Sequence, residues 1–484
     1  MKLYGYHIHH ILLLFGTLVL LTACSTTRPG EIERGAQHNF TDHSFEEGHP
    51  IVRMSAQGYL DEENQPRIDL AADIEQGSLI FREQEGKHRA EVEITVSVID
   101  SGGQGFSNSW SETKSFEREN NEFTASSIDN RYEKELEVPP GEYKVYISVI
   151  DQASGNETVR EVDTFIPDPS EEVVNLTSVQ LQGKNSDQPD RGYEPVTTYD
   201  VSTRKDSVRF VVQVTNNDSE DPLTVRSRLI EFEADTQAAR PAYYPNYSSS
   251  SIAYRGIDYR NGEVMEQTER EFDQSGSVMI EFPFERPEEG SYRFEVTVEG
   301  AGTEEQEEIS NARDFSVMGE NFPRIQTPQE LAEPLVYLMD ENEYEELMTI
   351  RDPAEVKEAV DRFWLSNIRS VERARQVIAL YYERVEEANR MFTNFKEGWK
   401  TDRGMVYILF GPPSRVENRI NTEIWRQDVG SADTRYNFVF ERPRMRNEYL
   451  PFDNYLLQRH QGYFNYQYQQ TQLWLNGQIL DGFM

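Results

Sequence analysis

The feature that most constrains the fold of this chain is a regular alternation of apolar and polar residues between residues 51 and 318. It is clearest at residues 90–98, 143–149, 208–214 and 292–298. Successive side chains of a β-strand point to opposite faces, so a period of two indicates strands with one buried face and one solvated face. The pattern therefore predicts antiparallel sheets packed as sandwiches.

The alternation occurs in two similar modules. The strands predicted at 143–149 and 292–298 each begin at a tyrosine that follows a turn with proline and glycine. Proline fixes φ and glycine permits positive φ, so both turns can redirect the chain in the same way. We predict two tandem all-β, immunoglobulin-like sandwiches at residues 51–168 and 169–320.

The first 24 residues are typical of an export signal that ends in a lipidated cysteine. The apolar run at 11–21 has the length of a signal-peptide core and is short for a membrane span. An aliphatic residue and two small residues, Leu21, Thr22 and Ala23, precede Cys24, the only cysteine in the chain. We predict a lipoprotein signal peptide at 1–23 and lipidation of Cys24, the alternative being an ordinary signal peptide beside a chance cysteine.

Residues 25–50 are polar and contain several glycines and prolines, which predicts a flexible tether between the lipid and the first sandwich. Ser25 after the lipidated cysteine favours transport to the outer membrane. The sequence leaves open whether the chain faces the periplasm or the exterior. A single cysteine excludes disulfides within the chain and thiolate metal clusters.

The charge balance excludes one class of partner. The chain has 48 lysines and arginines against 86 aspartates and glutamates, a formal net charge of −38. A surface this negative repels nucleic acid at long range. We therefore expect membrane attachment through lipid, and no nucleic-acid partner.

Helical patterns replace the alternation near residue 325. Residues 327–330 combine a threonine N-cap, a proline at the first helical position and a glutamate that can complete a capping box. Apolar residues then recur every three or four positions over 371–395, which predicts a long amphipathic helix. We predict a small α+β domain with an antiparallel sheet at 325–484, helical over 327–397 and α+β over 398–484.

The predicted helix runs into a group of residues whose types and spacing suggest a defined local structure: Gly398, Trp399, Thr401, Asp402, Arg403, Gly404, Gly411 and Pro413. Between Gly404 and Gly411 lies an apolar run that we predict as a strand, with Gly404 permitting its close approach. Two more strands are predicted at 423–425 and 436–440. The tail from 463 to 483 is read as a last strand or an exposed aromatic arm.

Residues 398–402 resemble the motif of the GWxTD-domain family of bacterial envelope proteins, which are known mainly as sequences. The flanks match too, at Phe363, Trp364, Tyr382, Arg384, Ala388, Asn389, Phe392, Gly411 and Pro413. The resemblance covers 325–484. It implies a cell-envelope location, no established catalytic activity and no cofactor.

The motif has a structural interpretation and a functional one. Gly398 can end the helix in a left-handed conformation, and Trp399 can fill the junction between helix and sheet. Thr401 and Asp402 can hold a tight turn through nearby backbone amides. Alternatively, Asp402 and Arg403 face a groove and contact a partner. The first interpretation makes the motif a conformational lock, the second a binding surface.

Few residues suit catalysis. His460 is the only histidine beyond residue 88, which argues against histidine-ligated metal sites and serine–histidine–aspartate triads. Glu417 and Glu423, near Asp402, are the candidate acidic pair for a polysaccharide or peptidoglycan hydrolase. Oxygen-bearing residues at 216–221 could line a calcium site, although their spacing fits a solvated turn better.

The favoured prediction is a non-catalytic, lipid-anchored envelope protein, a scaffold or interaction module whose C-terminal domain docks an envelope protein. The hydrolase is one alternative. A glycan-binding lipoprotein is another, because the tyrosine-rich stretch at 243–259 could stack on sugars if it is exposed. The competing interpretation of that stretch is a loop whose tyrosines pack back onto the protein.

Overall fold

A computed structural model of the chain describes residues 41–42, 48–84, 86–102, 105–118, 129–171, 173–185, 192–201, 205–217, 222–272, 276–299, 308–419, 421–428, 435–443 and 454–483. The predicted signal peptide, Cys24 and residues 218–221 of the acidic turn lie outside them. Within these ranges, no helix has both the length and the apolar character needed to cross a bilayer.

The earliest described strand, β1 (Thr41–Asp42), lies in the predicted tether but pairs with a strand of the C-terminal half. The first sandwich then contains β2 (Val52–Leu60), β3 (Pro66–Glu75), β4 (Arg82–Gln84), β5 (Lys87–Asp100), β6 (Ser107–Arg118), β7 (Asp129–Glu137), β8 (Gly141–Asp151) and β9 (Glu157–Ile166). One sheet has the order β2-β3-β7; the other has the order β4-β5-β8-β9, with β6 also paired to β5.

The two sheets of this sandwich share one core. The apolar positions of β5, such as Val92 and Ile94, are fully buried against residues such as Ile68 of β3 and Val145 of β8. Their polar neighbours along β5, such as Glu91, are exposed. The alternation in the sequence therefore predicted the buried face correctly.

The second sandwich contains β10 (Val174–Leu176), β11 (Gln180–Asn185), β12 (Glu194–Pro195), β13 (Asp200–Val201), β14 (Lys205–Asn216), β15 (Leu223–Phe232), β16 (Glu263–Phe272), β17 (Gly276–Glu285), β18 (Gly290–Glu299) and β19 (Glu308–Val317). One sheet has the order β10-β14-β11-β12, with β17 also paired to β14, and the other has the order β13-β19-β18-β15-β16. A long loop between β15 and β16 includes a short helix, α1 (Ile252–Arg255).

A tyrosine corner occurs in both sandwiches. The hydroxyl of Tyr143 donates to the backbone carbonyl of Pro139 at 2.9 Å, and the hydroxyl of Tyr292 donates to that of Glu288 at 3.0 Å. In each case the tyrosine is the third residue of a central strand and bonds to the residue four positions before it. The repeat predicted from the two turns is therefore also a repeat of side-chain geometry.

The C-terminal part contains α2 (Pro328–Ala332), α3 (Glu341–Thr349), α4 (Pro353–Asn367), α5 (Val371–Phe392), α6 (Asp402–Phe410) and α7 (Phe464–Leu475). Its strands are β20 (Arg415–Arg419), β21 (Thr422–Asp428), β22 (Arg435–Glu441) and β23 (Leu456–Leu457), in a sheet of order β1-β20-β21-β22-β23. The predicted capping box is present, since Thr327 accepts from the backbone N–H of Glu330 at 3.2 Å and Glu330 accepts from that of Thr327 at 2.8 Å.

Three sequence-based assignments in this part are wrong. Residues 405–410, predicted as a strand, belong to helix α6, and the tail predicted as a strand or an arm contains helix α7. Helix α5 ends at Phe392, so it does not continue to the glycine at 398. A short, wholly apolar run has no period that separates a buried strand from a buried helix, which explains the first error.

Polar contacts join the folded units. The side chain of Gln213 exchanges two hydrogen bonds with the backbone of Leu60, at 2.8 and 2.7 Å, and so links the two sandwiches. Arg53 of the first sandwich donates to the backbone carbonyl of Arg390 in α5 at 3.0 Å. Both sandwiches therefore connect, directly or through one another, to the C-terminal helices.

Candidate functional site

The predicted motif lies where a short 3-10 turn (Gly398–Lys400) and the start of α6 pack against α5. A Cβ atom added to Gly398 would lie 1.9 Å from the carbonyl oxygen of Ala388, and one added to Gly404 would lie 2.0 Å from that of Gly398. Any side chain at either position would therefore force backbone segments apart. The role predicted for Gly398, a left-handed helix end, is wrong, because the glycines with positive φ do not include it.

Trp399 is buried, with 2% of its surface exposed. Its backbone N–H donates to Oδ1 of Asn389 at 3.1 Å, and its indole Nε1 donates to Oε2 of Glu397 at 3.0 Å. Its carbonyl accepts from the hydroxyl of Tyr337 at 2.7 Å. The backbone of Trp399 thus joins the 3-10 turn Gly398–Lys400 to α5 and to the 3-10 turn Glu333–Tyr337.

Thr401 begins helix α6. Its Oγ1 accepts from the backbone N–H of Gly404 at 3.0 Å and donates to the carbonyl of Gly398 at 2.7 Å. The first bond is the N-cap contact that satisfies an otherwise unpaired amide of the first helical turn. The turn chemistry expected of Thr401 is therefore present, but it starts a helix.

Asp402 forms a buried ion pair with Arg459. Its Oδ1 accepts from Nη2 of Arg459 at 2.5 Å, and its Oδ2 accepts from Nη1 at 2.8 Å. Oδ2 also accepts from the backbone N–H of Leu457 in β23 at 2.7 Å. The side chains of Arg459 and Asp402 are 0% and 2% exposed, so both carboxylate oxygens are used inside the protein.

Arg459 extends this network into the second sandwich. It donates from Nη2 to the carbonyl of Arg240 at 3.1 Å and to the hydroxyl of Tyr247 at 3.2 Å, and its guanidinium lies 4.3 Å from the ring centre of Tyr247. Its backbone N–H donates to Asn246 at 2.7 Å. Burial and the charge of Asp402 raise the pKa of Tyr247 to about 12. The motif and the long loop of the second sandwich therefore share one buried polar network.

Arg403 does not pair with Asp402. Its Nη1 lies 3.5 Å from Oε2 of Glu423. Its guanidinium carbon lies 5.2 Å from the ring centre of Phe392 and 4.9 Å from the ring centre of Tyr455. The structure thus directs Asp402 and Arg403 to different partners.

Helix α6 ends at Phe410 and is followed by Gly411, which has a φ of +83°. Buried side chains bond the carbonyl groups at this end: Arg384 to Ile408 at 3.0 Å, Trp474 to Leu409 at 2.9 Å and Gln427 to Gly411 at 2.9 Å. Burial lowers the pKa of Arg384 to about 10. Pro413, two residues on, is also buried. Both ends of α6 are therefore fixed by side chains from other elements.

A protein-family model describes the same region. The model of the GWxTD domain matches residues 302–476 of this chain. This region is a GWxTD domain. The resemblance seen in the sequence is confirmed, and the match reaches back beyond residue 325 to include β19 of the second sandwich.

The similarity of this chain to solved structures is weak. A red sea bream transglutaminase is 10% identical, with a TM-score of 0.17 over 55% of this chain and 31% of that chain. The native conformation of an Escherichia coli alpha-2-macroglobulin is 12% identical, with a TM-score of 0.18 over 56% and 16%. A Salmonella alpha-2-macroglobulin is 15% identical, with a TM-score of 0.18 over 58% and 17%. This chain spans less than a third of each, and no curated protein matches it.

The acidic residues considered for hydrolysis lie on opposite faces of the sheet of the GWxTD domain. Glu417 stands opposite Ile424, whereas Glu423 stands opposite Asn418, so the two glutamates point to different sides. Glu417 pairs with Arg419 and Arg426, and the hydrogen bond from Arg419 holds its pKa below the usual range. The pair cannot flank one glycosidic bond. Among the described residues, no group of three histidine, cysteine or acidic residues could hold a metal ion.

The tyrosine-rich loop packs partly onto the GWxTD domain and partly onto its own sandwich. Tyr247 lies on Arg459, whereas the hydroxyl of Tyr259 donates to Oδ2 of Asp314 in β19 at 2.9 Å. Nearby, Lys396 donates to Oδ2 of Asp235 at 2.6 Å in a buried pair. The sequence did not indicate Arg459 or Lys396, because each lies far from its partner along the chain.

Proposed function

We propose that this chain is a non-catalytic, lipid-anchored protein of the cell envelope, which holds a GWxTD domain on two immunoglobulin-like sandwiches and presents it to a protein partner. The observation that carries the proposal is the buried Asp402–Arg459 pair. Because the carboxylate of Asp402 is bonded inside the protein, it does not face a partner. We infer that the motif is a structural joint and that the docking surface lies elsewhere on the domain.

The contacts between the second sandwich and the GWxTD domain support a scaffold. Phe395, which follows α5, is buried in a cluster with Ile230, Phe232 and Ile257 of the sandwich. The Lys396–Asp235 pair lies beside it. A buried interface with both apolar and ionic contacts resists relative motion, so the sandwich would hold the domain in a fixed orientation.

The anchor is the lipid on Cys24, and the outer membrane is the proposed location. Mass spectrometry of the N-terminal peptide from native membranes tests this directly. We expect a peptide that begins at Cys24 and carries acyl chains, and membrane release of a Cys24→Ser variant. A peptide that begins elsewhere, or a cysteine without lipid, would refute the anchor.

Site-specific photo-crosslinking in intact cells tests the docking role. The GWxTD domain exposes the apolar side chains of Leu365 and Val371, at 47% and 56%, and the first sandwich exposes Val159 at 40%. A photoreactive residue is placed at each position in turn. We expect one defined protein adduct from the domain and none from the control at Val159. Adducts at Val159 alone, or none at any position, would contradict the proposal.

A further inference from the structure

Four aromatic side chains form a surface at the junction of the long loop and helix α7, here called the aromatic platform: Tyr243, Tyr244, Phe464 and Tyr468. Tyr243 contacts both the loop and the helix: its ring centre lies 5.2 Å from the ring centre of Tyr244 and 5.0 Å from the ring centre of Phe464. The rings of Phe464 and Tyr468 are 6.3 Å apart and within 12° of parallel. The loop and the helix thus contribute equally to one surface.

The platform faces solvent. Tyr244, Phe464 and Tyr468 are 43%, 49% and 57% exposed. Large apolar side chains grouped at a surface carry a cost in water unless something covers them, so such groups mark binding sites. Scattered single exposures need no such explanation.

The platform is held from beneath. Tyr466, Gln470 and Trp474, on the opposite face of α7, are buried in the core of the GWxTD domain. Gln467 accepts from the backbone N–H of Ala242, next to Tyr243, at 2.8 Å. Both halves of the platform are therefore fixed, and binding would cost little ordering of the protein.

The two segments of chain that carry the platform contain no charged residues. Residues 241–254 and 461–480 contain no aspartate, glutamate, lysine or arginine, in a chain in which 28% of residues are charged. The exposed polar residues beside the rings on α7 are amides: Asn465, Gln469 and Gln472. The loop also contains the serines at 248–251, of which the first three are exposed. Aromatic faces, amides and hydroxyls without charge form a surface suited to a neutral polar ligand.

We propose that the aromatic platform binds a neutral glycan. The C–H face of a pyranose ring is apolar and stacks on an aromatic ring, while its hydroxyl groups exchange hydrogen bonds with amides. The parallel rings of Phe464 and Tyr468 offer adjacent stacking positions for successive sugars. A neutral chain also avoids the repulsion that a protein of net charge −38 exerts on acidic polysaccharides. This inference goes beyond the docking of a protein partner.

Titration calorimetry of the full-length protein in detergent tests the inference. The probes are laminarin, a neutral glucan, and the hexamer of N-acetylglucosamine; alginate is the acidic control. We expect one neutral probe to bind with an affinity that salt does not weaken. Tyr468→Ala and Phe464→Ala should each lower that affinity about tenfold, as the loss of one stacked ring implies. Val371→Ala, on another exposed surface of the domain, should not change it.

Several results would overturn the proposal. The first is that neither neutral probe binds. The second is that both ring variants bind as the native protein does. The third is that alginate alone binds and salt abolishes that binding. Loss of a crosslinked protein partner in Tyr468→Ala, without any glycan binding, would assign the platform to a protein. Circular dichroism shows whether each variant folds. A failed glycan titration leaves the crosslinks from Leu365 and Val371 unaffected, so the two proposals fail separately.

Discussion

Asp402 shows why a single residue of the motif can have a large effect without touching a partner. A buried ion pair contributes little net stability compared with apolar residues of the same volume, because desolvation offsets the attraction. Removing one member is different, since the remaining charge is then buried without compensation. Burial alone would lower the pKa of Arg459, but the charge and hydrogen bonds of Asp402 outweigh it and raise that pKa.

Gly398 should tolerate no side chain. Gly398→Ala would place a Cβ atom 1.9 Å from the carbonyl oxygen of Ala388, a backbone atom that cannot move without shifting α5. We expect a loss of at least about 1–3 kcal/mol in the free energy of unfolding, the usual cost of overpacking. Urea denaturation measures it. Gly192→Ala, where nothing lies within 4 Å, is the matched control and should change little.

Sequence reasoning at this scale could indicate contacts between residues close along the chain but not contacts between distant ones. Thr401 bonds to Gly398 and Gly404, and the indole of Trp399 bonds to Glu397, all within three positions along the chain. Asp402 pairs with Arg459, 57 residues away, and no local pattern encodes such a contact. Arg403 contacts Glu423 and the rings of Phe392 and Tyr455, and these contacts also depend on the tertiary fold.

At the scale of elements, helix α6 was the main error and its cause is physical. Its apolar residues face core on every side, so burial gives no period in the sequence. The signals that could have identified it are at its ends: Thr401 as N-cap, Asp402 in the first turn and Gly411 just after the last turn. The alternating strands of the sandwiches were predictable because only one of their faces is buried.

The N-cap of α6 gives a prediction of moderate size. Thr401→Ala removes the bond to the backbone N–H of Gly404, and Thr401→Ser keeps it. We expect the alanine variant to lose about 1 kcal/mol of unfolding free energy, or up to about 2, and the serine variant to lose much less. Chemical denaturation of both variants measures the difference. Equal losses would show that the methyl group, not the cap, accounts for the effect.

The two sheets of the first sandwich are joined by an ionic contact that should respond to pH. Glu112 of β6 accepts from the hydroxyl of Tyr132 at 2.8 Å and from Nζ of Lys134 at 3.2 Å, both on β7. Lys114, then Tyr132 and Lys134, lower the pKa of Glu112 from 4.5 to about 2. A lowered folded-state pKa contributes stability above the unfolded value, and this is lost as pH falls through the folded value.

Glu112→Gln should therefore be less stable than the native protein above pH 4.5, and the difference should shrink between pH 4.5 and about 2. Thermal unfolding across that range measures it. Glu142→Gln, at an exposed position of β8, controls for the loss of one negative charge. A difference that stays constant with pH would refute the ionic role of Glu112.

At the scale of the whole molecule, a β-rich first part and a helix-containing C-terminal part were predictable, whereas the contacts between them were not. The alternating pattern indicated the first part, and the helical spacing and the family motif indicated the second. The loop between β15 and β16 was noted for its tyrosines, but its packing on Arg459 depends on residues about 200 positions apart. The sequence indicated two residues of the aromatic platform, Tyr243 and Tyr244. It did not indicate Phe464 and Tyr468, because helix α7 was not predicted.

We propose that the motif of the GWxTD domain holds the structure together and does not contact a partner. Urea unfolding of Asp402→Asn tests this most directly, with Glu358→Gln, a carboxylate in an exposed pair with Arg362, as the matched control. We expect a loss of about 3–5 kcal/mol for Asp402→Asn, because Arg459 stays buried without its counter-charge, and a loss below about 1 kcal/mol for the control. An Asp402→Asn protein as stable as the native one, which nevertheless loses its partner, would make the motif a binding surface and contradict the claim.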